Sequence, residues 1–287
     1  MFNKRLSLAV HIHLHYMDMW PQIKQYLVNI GDYPYHLYVT LNEKNDDIIK
    51  DIKQFHKETA VYIVENKGYD VGPFVYFLNQ IDLNKYDLIL KIHTKDNKTG
   101  CDTLLNHRYV SRKYWFQLLL EALIGSKRIF LKNISAFQNN ENLGMIGSKY
   151  CITSSYKNAV DVRDKVIEIM NGFNFTNFLP ITFVAGTMFF VRSEILQKVK
   201  ENYTINDFDI TDNQVKDGTL AHTLERVFGC LVVAQGYQIQ GYDKNRNFEY
   251  QSIAKLLQRF IFQKKITKKN YLQVKILKFP IYHRKII

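Results

Sequence analysis

Strand-like and helix-like stretches alternate along the first 92 residues of this chain. Apolar runs of strand length are separated by segments whose apolar residues recur at helical spacing. Strands separated by helices imply parallel βαβ units, whose ligands bind at the carboxyl ends of the strands. The predicted strands cover residues 6–14, 36–42, 60–66 and 86–92, and the predicted helices cover residues 20–29, 46–55 and 74–81.

After Gly100 the rhythm changes. The sequence predicts helices over 109–123, 126–137 and 160–170, and strands over 143–147 and 183–191. A helix predicted over 217–229 begins with an acid that can cap its first turn, and strand character resumes at Cys230. We find no internal repeat and no Pro/Gly-rich linker. The predicted fold is a single α/β domain with a mostly parallel, Rossmann-like sheet flanked by helices, followed by a basic appendage.

The composition argues against several classes of protein. The chain has 287 residues, of which 46% are hydrophobic and 23% charged, as expected of one large or two small globular domains. Its three cysteines are isolated, so neither a disulfide framework nor a zinc knuckle is indicated, and a reducing cytoplasm is the simpler interpretation. No signal peptide is predicted, and no segment approaches the roughly 18 consecutive apolar residues of a membrane span.

The positive charge is concentrated at the C-terminus. Residues 249–287 contain ten Lys and Arg and one acid, which is +9 of the net charge of +12. Apolar residues over 253–261 recur at helical spacing among basic ones, the pattern of a basic helix lying on an anionic membrane surface. A charged helix packed on the domain is the alternative interpretation, and nucleic-acid binding is disfavoured because no binding motif accompanies the charge.

The stretch LILKIHTKDNKTG, residues 88–100, begins as a buried strand and ends in a cluster of charge. Its near-continuous apolar run is typical of a strand covered on both faces. Lys91, His93 and Lys95 interrupt and follow that run. Because ligands of open α/β sheets bind at the carboxyl ends of strands, the cluster indicates a site for an anion.

Three histidines, His11, His13 and His15, alternate along the first predicted strand and therefore share one face. A zinc site is conceivable, but no acidic or sulfur ligand lies nearby in the sequence. A core position is the preferred interpretation for His11. His15 and Tyr16, at the strand end, could contact a ligand.

The stretch NKGYDVGPF follows the third predicted strand. Gly68 and Gly72 permit close backbone approach, and Asp70 can accept hydrogen bonds from ribose or sugar hydroxyls. A plain strand-to-helix turn with a capping acid explains the same residues equally well. The stretch matches neither the dinucleotide fingerprint nor the phosphate-binding P-loop.

The stretch DGTLAHTLER, residues 217–226, carries the strongest candidate for a general base. The dipole of a helix stabilises an ionised carboxylate at its N-terminus, which suits Asp217 to base catalysis at neutral pH. From this stretch alone, helix capping is the preferred role for this acid. Glu225 and Arg226 form a structural ion pair more often than a catalytic one.

Six stretches together resemble, in order, the rhamnan synthesis protein F family of bacterial polysaccharide glycosyltransferases. They are LAVHIHLHY, NKGYDVGPF, YDLILKIHTKD, LGMIG, FVAGTMFFVR and DGTLAHTLER, and they lie within residues 6–236. The resemblance implies an A-type glycosyltransferase (GT-A-like) domain over 1–248, with a nucleotide-sugar half at about 1–100 and an acceptor half at about 101–248. The basic segment 249–287 follows this domain.

In many A-type enzymes the fourth strand ends in Asp-x-Asp, whose carboxylates hold a divalent ion that neutralises the donor diphosphate. Laid on that pattern, His93 and Lys95 stand where the two acids would be. Imidazolium and ammonium groups can meet a diphosphate directly as donors and counter-charges. The resemblance therefore implies catalysis without a metal cofactor, although the adjacent Asp96 could still recruit a divalent ion.

The resemblance also implies roles for the other candidate residues. Asp217 matches the acid that deprotonates the acceptor hydroxyl, and Glu225 is the fallback. The expected catalytic residues are thus Asp217, Lys95 and His93. The expected donor-binding residues are His13, His15, Asn66, Gly68, Asp70, Gly72 and Lys91, and the expected acceptor-side residues are Gly186, His222 and Glu225.

The leading hypothesis is an inverting, metal-independent glycosyltransferase that transfers a sugar, with rhamnose as the family expectation, from a nucleotide-sugar donor to a glycan or lipid-linked glycan acceptor. It would act in the cytoplasm, docked on the inner face of the membrane by its basic tail, and without a nucleic-acid partner. The rival hypotheses are a sugar phosphotransferase and a non-catalytic glycan-binding or scaffold protein of a polysaccharide assembly system.

Overall fold

The computed structural model describes residues 5–95, 102–105, 108–155, 162–211, 218–241, 262–266, 271–277 and 279–285. Along them the strands are β1 (Leu8–His13), β2 (His36–Leu41), β3 (Ala60–Ile63), β4 (Leu88–His93), β5 (Asp102–Leu105), β6 (Arg108–Ser111), β7 (Leu143–Ile146), β8 (Ile152–Ser155), β9 (Ile181–Val184), β10 (Phe189–Arg192), β11 (Gln238–Gln240), β12 (Phe262–Ile266), β13 (Tyr271–Ile276) and β14 (Phe279–Lys285). The helices are α1 (Trp20–Leu27), α2 (Asp46–Phe55), α3 (Val71–Gln80), α4 (Arg112–Ile124), α5 (Lys127–Asn139), α6 (Arg163–Gly172), α7 (Gln197–Asn202) and α8 (Leu220–Ala234).

The chain divides into two units. The first consists of Met1–Asp96 and Phe116–Asp243, and the second of Asn97–Trp115 and Lys244–Ile287. The described strands of the first unit include a seven-stranded sheet in the order β11-β7-β10-β4-β1-β2-β3. β1 is parallel to β2 and β4, β2 is parallel to β3, and β10 runs antiparallel between β4 and β7. The predicted α/β class with a mostly parallel sheet is confirmed.

The order of the strands reverses at β1. From β1 the chain adds β2 and then β3 on one side, and it later places β4 on the other side. Such a reversal leaves a crevice at the carboxyl ends of the two central strands, where open α/β sheets bind ligands. The register pairs His13 with His93 and His11 with Lys91, so the chemistry-bearing residues of both motifs meet across this reversal.

The stretch 183–191, predicted as one strand, forms parts of two. β9 pairs with β8, whereas β10 lies in the central sheet, and a turn separates them. Gly186 has φ +95° and Thr187 has φ +53°, both in the left-handed region that a strand cannot accommodate. The prediction of a single strand here is wrong because the apolar pattern continues across the turn.

The helix predicted over 217–229 begins and ends later than expected. Among the described residues Thr219 is the N-cap of α8, and its side chain accepts a hydrogen bond from the backbone N–H of His222. Asp217 lies outside the described residues. α8 continues to Ala234, so the strand predicted from Cys230 onward is wrong up to that point. Buried residues on several sides of α8 produce a continuous apolar run, which periodicity cannot distinguish from a strand.

The described part of the basic tail, which follows the segment with helical spacing, is strand. β12, β13 and β14 form a three-stranded antiparallel sheet in the second unit. The sequence YLQVKI of β13 alternates apolar and polar residues, which is the period of a strand. Residues 253–261, where the apolar spacing is helical, lie outside the described residues. Within the described ranges, no helix is both long and apolar enough to cross a membrane.

Candidate active site

A small cleft of about 150 Å³ opens at the carboxyl ends of β1 and β4, beside the loop that follows β3. It lies at the reversal of strand order, where the topology predicts a ligand site. The cleft brings together predicted residues from three separate motifs. Its lining consists of His13, His15, Tyr16, Asn66, Tyr69, Asp70, His93, Thr94, Lys95 and Thr211.

The histidines of β1 are arranged along a line from the core to the cleft. His11 stacks on Phe77 at 4.6 Å between ring centroids and is completely buried, as its predicted core position requires. One ring nitrogen of His11 and one of His13 each lie 3.1 Å from Thr40 Oγ1, so the two rings share a face of the strand. His15 Nδ1 lies 2.7 Å from Asn42 Oδ1 at the mouth of the cleft.

Burial makes the two inner histidines poor bases. It lowers the pKa of His11 well below its usual value and lowers the pKa of His13 to about 3. Both rings are therefore neutral at neutral pH. Within the described part of the chain, no group of three or more His, Cys, Asp or Glu side chains is placed to hold a metal ion.

A buried ion pair links the wall of the cleft to the core behind it. Lys91 is completely buried, and its Nζ donates hydrogen bonds to Asp70 Oδ2 at 2.5 Å and to the Thr187 carbonyl oxygen at 2.9 Å. Burial lowers the pKa of Lys91, and Asp70 opposes this shift. Lys91, expected to bind the donor, does not line the cleft and contacts it through Asp70.

Asp70 is ionised and faces the cleft. Burial by itself raises its pKa, but the positive charges of Lys91 and Lys95 and the hydrogen bond from Lys91 outweigh that effect and hold the pKa below the usual range of a carboxyl group. The Asp70 side chain retains 19% exposure and lines the cleft. A carboxylate so placed accepts hydrogen bonds from the hydroxyls of a ligand.

His93 and Lys95 lie on the same wall but differ in charge. His93 Nδ1 is 3.4 Å from Asp70 Oδ2, yet burial lowers the pKa of His93 well below its usual value. His93 is therefore a neutral imidazole at neutral pH and not the imidazolium that the sequence suggests. Lys95 is half-buried and lines the cleft. The adjacent Asp96 lies outside the described residues.

The glycines of NKGYDVGPF shape the loop and do not line the cleft. Gly68 has φ +65°, and a Cβ there would lie 2.4 Å from the Phe208 ring. A Cβ on Gly72 would lie 2.2 Å from the Lys67 carbonyl oxygen. Both glycines thus permit tight packing of the loop that presents Asn66 and Asp70, whereas the sequence suggested close approach to a nucleotide.

Gly186 and Glu225, both expected on the acceptor side, are in contact. The backbone N–H of Gly186 and the hydroxyl of Thr187 donate hydrogen bonds to Glu225 Oε1 at 2.9 and 2.8 Å. Arg226 Nη1 donates to Glu225 Oε2 at 2.8 Å, which is the predicted structural ion pair. Both carboxylate oxygens of Glu225 are engaged, which weakens its candidacy as a base.

His222 connects α8 to the cleft. Its Nδ1 lies 2.7 Å from Thr219 Oγ1, and its ring lies 5.2 Å from that of Tyr69, which lines the cleft. The first turn of α8 therefore abuts the donor side.

Some residues of the cleft carry little or no signal in the sequence. Thr211 lines it and accepts a hydrogen bond from the backbone N–H of Tyr69 at 3.0 Å, 142 positions away in sequence. Thr94 lines it and accepts from the Tyr16 N–H at 3.0 Å. Thr94 could have been found because it lies between His93 and Lys95. Nothing near Thr211 in the sequence indicated a site.

Comparison with known proteins identifies the family. The family described as rhamnan synthesis protein F matches residues 1–237, which is most of the chain. The chain belongs to this family. Two curated relatives, the WxcX proteins of two strains of Xanthomonas campestris pv. campestris, are each 27% identical over 240 residues. Each match covers 81% of this chain and 32% of the relative, so the chain spans about a third of the length of these relatives.

Solved structures provide more distant matches. A fragment of TarS from S. aureus, residues 1–349, is 10% identical with a TM-score of 0.41, covering 89% of this chain and 66% of that one. The mannosyltransferase PcManGT from Pyrobaculum calidifontis, solved with GDP-Man and Mn²⁺, is 12% identical with a TM-score of 0.41, covering 89% and 63%.

Proposed function

We propose that this chain is a glycosyltransferase of bacterial polysaccharide synthesis that binds a nucleoside diphosphate sugar in the cleft between β1 and β4. The observation that carries the proposal is the position and lining of this cleft. It lies at the strand-order reversal, and its lining includes the basic Lys95, which suits an anion, and the carboxylate of Asp70, which suits hydroxyls. Membership of the rhamnan synthesis protein F family supports the same reaction and makes rhamnose the expected sugar.

The proposed reaction is a single displacement at the anomeric carbon. An acceptor hydroxyl oxygen forms a bond to that carbon while the bond from the carbon to the diphosphate oxygen breaks. The hydroxyl proton passes to the Asp217 carboxylate, and the bonding electrons leave with the nucleoside diphosphate. Displacement from the opposite face inverts the anomeric configuration.

The cleft residues divide the tasks of donor binding. Lys95 supplies positive charge to the departing diphosphate, and His93 is a neutral hydrogen-bond donor beside it. The Asp70 carboxylate accepts hydrogen bonds from the ribose and sugar hydroxyls. His15 and Asn66 form further hydrogen bonds with the same hydroxyls. Lys91 acts through Asp70 because it lies behind that carboxylate.

The residues at the Asp-x-Asp positions do not suit a divalent ion. The ammonium of Lys95 has no lone pair to give to a metal, and His93 Nδ1 faces Asp70. No step of the proposed reaction passes through a metal. In the proposed reaction the ammonium of Lys95 contacts the diphosphate directly and neutralises its negative charge, as a divalent ion does in enzymes with Asp-x-Asp.

Incubation with a panel of nucleotide sugars tests the proposed function. We expect release of nucleoside diphosphate with at least one donor, and more with a polysaccharide acceptor fraction than without it. Asp217→Asn will lose acceptor-dependent release but retain donor binding, because only proton removal from the acceptor is impaired. Transfer of phosphate to the sugar would instead indicate a sugar phosphotransferase. Unchanged activity in Asp217→Asn would remove this residue as the base.

Lys95→Ala should lower turnover by more than 10-fold while chelation of divalent ions leaves turnover unchanged. Loss of one preorganised charge contact to the departing group costs roughly 2–4 kcal/mol in the transition state. Lys85→Ala is the matched control, since Lys85 is exposed and precedes β4, whereas Lys95 follows it. Full loss of activity in chelator, with recovery on adding manganese or magnesium, would contradict this assignment.

The basic tail is proposed to dock the enzyme on the inner face of the cytoplasmic membrane, where a lipid-linked acceptor would be displayed. Its net charge of +9 supports this, because each basic residue near an anionic surface contributes about 1 kcal/mol. We expect the chain to sediment with anionic vesicles and to be released by high salt. A chain truncated after Tyr250 should not sediment but should still hydrolyse donor. Equal sedimentation of both forms would contradict the proposal.

A further inference from the structure

A second cavity, of about 600 Å³, lies on another side of α8. Its walls come from α6, from the end of α7 with the residue that follows it, and from the first turn of α8. The volume is within the range of about 300–1,000 Å³ that small-molecule sites occupy. Three helices supply most of its lining, so the cavity is built on regular elements and not on loops alone.

The side chains of this cavity suit a neutral, hydroxyl-rich ligand. Tyr203 supplies half-buried aromatic surface, and the buried Phe173 packs edge to face against its ring at 6.3 Å. The Asn202 side-chain N–H group donates to the Lys198 carbonyl oxygen, which leaves Oδ1 as an acceptor, and Glu168 adds an exposed carboxylate. An aromatic face can pack against the C–H groups of a sugar ring, and acceptors beside it can bind the hydroxyls of that ring. The lining of this cavity therefore suits a carbohydrate.

The same composition disfavours a phosphorylated ligand. Lys165 Nζ already donates a hydrogen bond to the Gly218 carbonyl oxygen at 2.9 Å. The carboxylate of Glu168 offsets the positive charge of Lys165, so the lining has no excess positive charge to attract an anion. The donor diphosphate therefore belongs in the cleft beside Lys95 and not in this cavity.

The first turn of α8 separates the cavity from the donor cleft. Leu220 and Thr223, three residues apart, line the cavity, whereas His222 contacts Tyr69 of the cleft. A helix with its side chains is about 10–12 Å across, so the two spaces are close neighbours. Lys165 fixes the wall of the cavity to Gly218, immediately after Asp217.

We propose that this cavity binds the sugar units of the acceptor glycan that do not react, with the reactive terminal hydroxyl directed to the start of α8. This inference rests on the proposed function, and it makes the acceptor an oligosaccharide and not a single sugar. Binding energy from the non-reacting units holds the terminal hydroxyl in place for attack. Tyr203 and Glu168 are then residues that determine acceptor specificity.

Binding of trisaccharides tests the proposal without requiring turnover. Rhamnose, hexose and N-acetylhexosamine trisaccharides, with the corresponding monosaccharides, are titrated into the full chain by calorimetry and by saturation-transfer NMR. We expect at least one trisaccharide to bind at least 10-fold more tightly than its monosaccharide. Tyr203→Ala and Glu168→Gln should each weaken that binding by 10-fold or more, with donor hydrolysis unchanged within twofold.

The control is Tyr62→Ala, which removes a similarly half-buried tyrosine that packs edge to face on Tyr76 at 5.7 Å. It should leave trisaccharide binding unchanged. Glu168→Gln is exposed and conservative, so it keeps the test open if Tyr203→Ala fails to fold. Wild-type binding in both cavity variants, or no trisaccharide binding by the wild type, would overturn the proposal. Absence of nucleoside diphosphate release with every donor would overturn the proposed function and not this binding result.

Discussion

Asp70→Asn should destabilise the first unit by about 3–5 kcal/mol, because it leaves the ammonium of Lys91 buried without its counter-charge. Lys91 is completely buried, and apart from Asp70 its Nζ contacts the neutral carbonyl oxygen of Thr187. A loss of this size is a large fraction of the roughly 5–15 kcal/mol that stabilises a typical domain. Urea unfolding at pH 7 measures it as a fall in the midpoint at constant slope.

The double variant Asp70→Asn with Lys91→Met separates the ion pair from the packing around it. Met fills much of the space of the lysine stem and carries no charge, so the double variant should recover most of the stability lost in Asp70→Asn. Asp46→Asn is the control, since its pair with Lys44 at 3.0 Å is exposed and contributes little. Additive losses at Asp70 and Lys91 would show that the two side chains are not coupled.

Acid should unfold this protein at a pH well above that at which carboxyl groups titrate. His11, His13 and His93 are buried, and burial lowers the pKa of each, to about 3 for His13. The unfolded chain therefore binds more protons than the folded chain below a pH of about 6.5. The stability contributed by the neutral rings is present above that pH and is lost as the pH falls towards the folded pKa values.

Each of these histidines contributes a slope of about 1.4 kcal/mol per pH unit, so the three together give about 4 kcal/mol per unit near pH 5. Asp70 adds to the loss only below a pH of about 4, since its pKa is also lowered in the folded state. Unfolding free energies measured in urea between pH 7 and pH 5 test this expectation.

Two substitutions in β1 separate titration from packing. His11→Phe removes one buried imidazole while retaining the aromatic contact with Phe77. The slope of the unfolding free energy against pH should therefore fall by the contribution of about one proton. Ile12→Val, at a completely buried neighbouring position, should lower stability by a similar amount at every pH. Stability that does not change between pH 7 and pH 5 would contradict the assignment of neutral buried histidines.

The sequence alone was sufficient for the features that depend on local pattern. The alternation of strands and helices up to β4 follows from hydrophobic period, and α2 occupies the predicted residues 46–55. The buried character of β1 and β4 follows from their continuous apolar runs. Parallel βαβ units then place His13, Asp70 and His93 near one edge of the sheet, so the location of the cleft could be predicted without knowing its contacts.

Only the tertiary structure decided the charge state and the partners of the site residues. The burial of Lys91 and the neutrality of His93 depend on what packs around them, and Lys91 meets Thr187 from 96 positions away. The partners of Glu225, the cleft position of Thr211 and the turn that divides β9 from β10 likewise depend on contacts between distant segments. The spacing of apolar residues in a sequence shows which face of a single helix or strand is apolar. The pKa values and hydrogen-bond partners depend instead on how several elements together exclude water and place charges around a side chain.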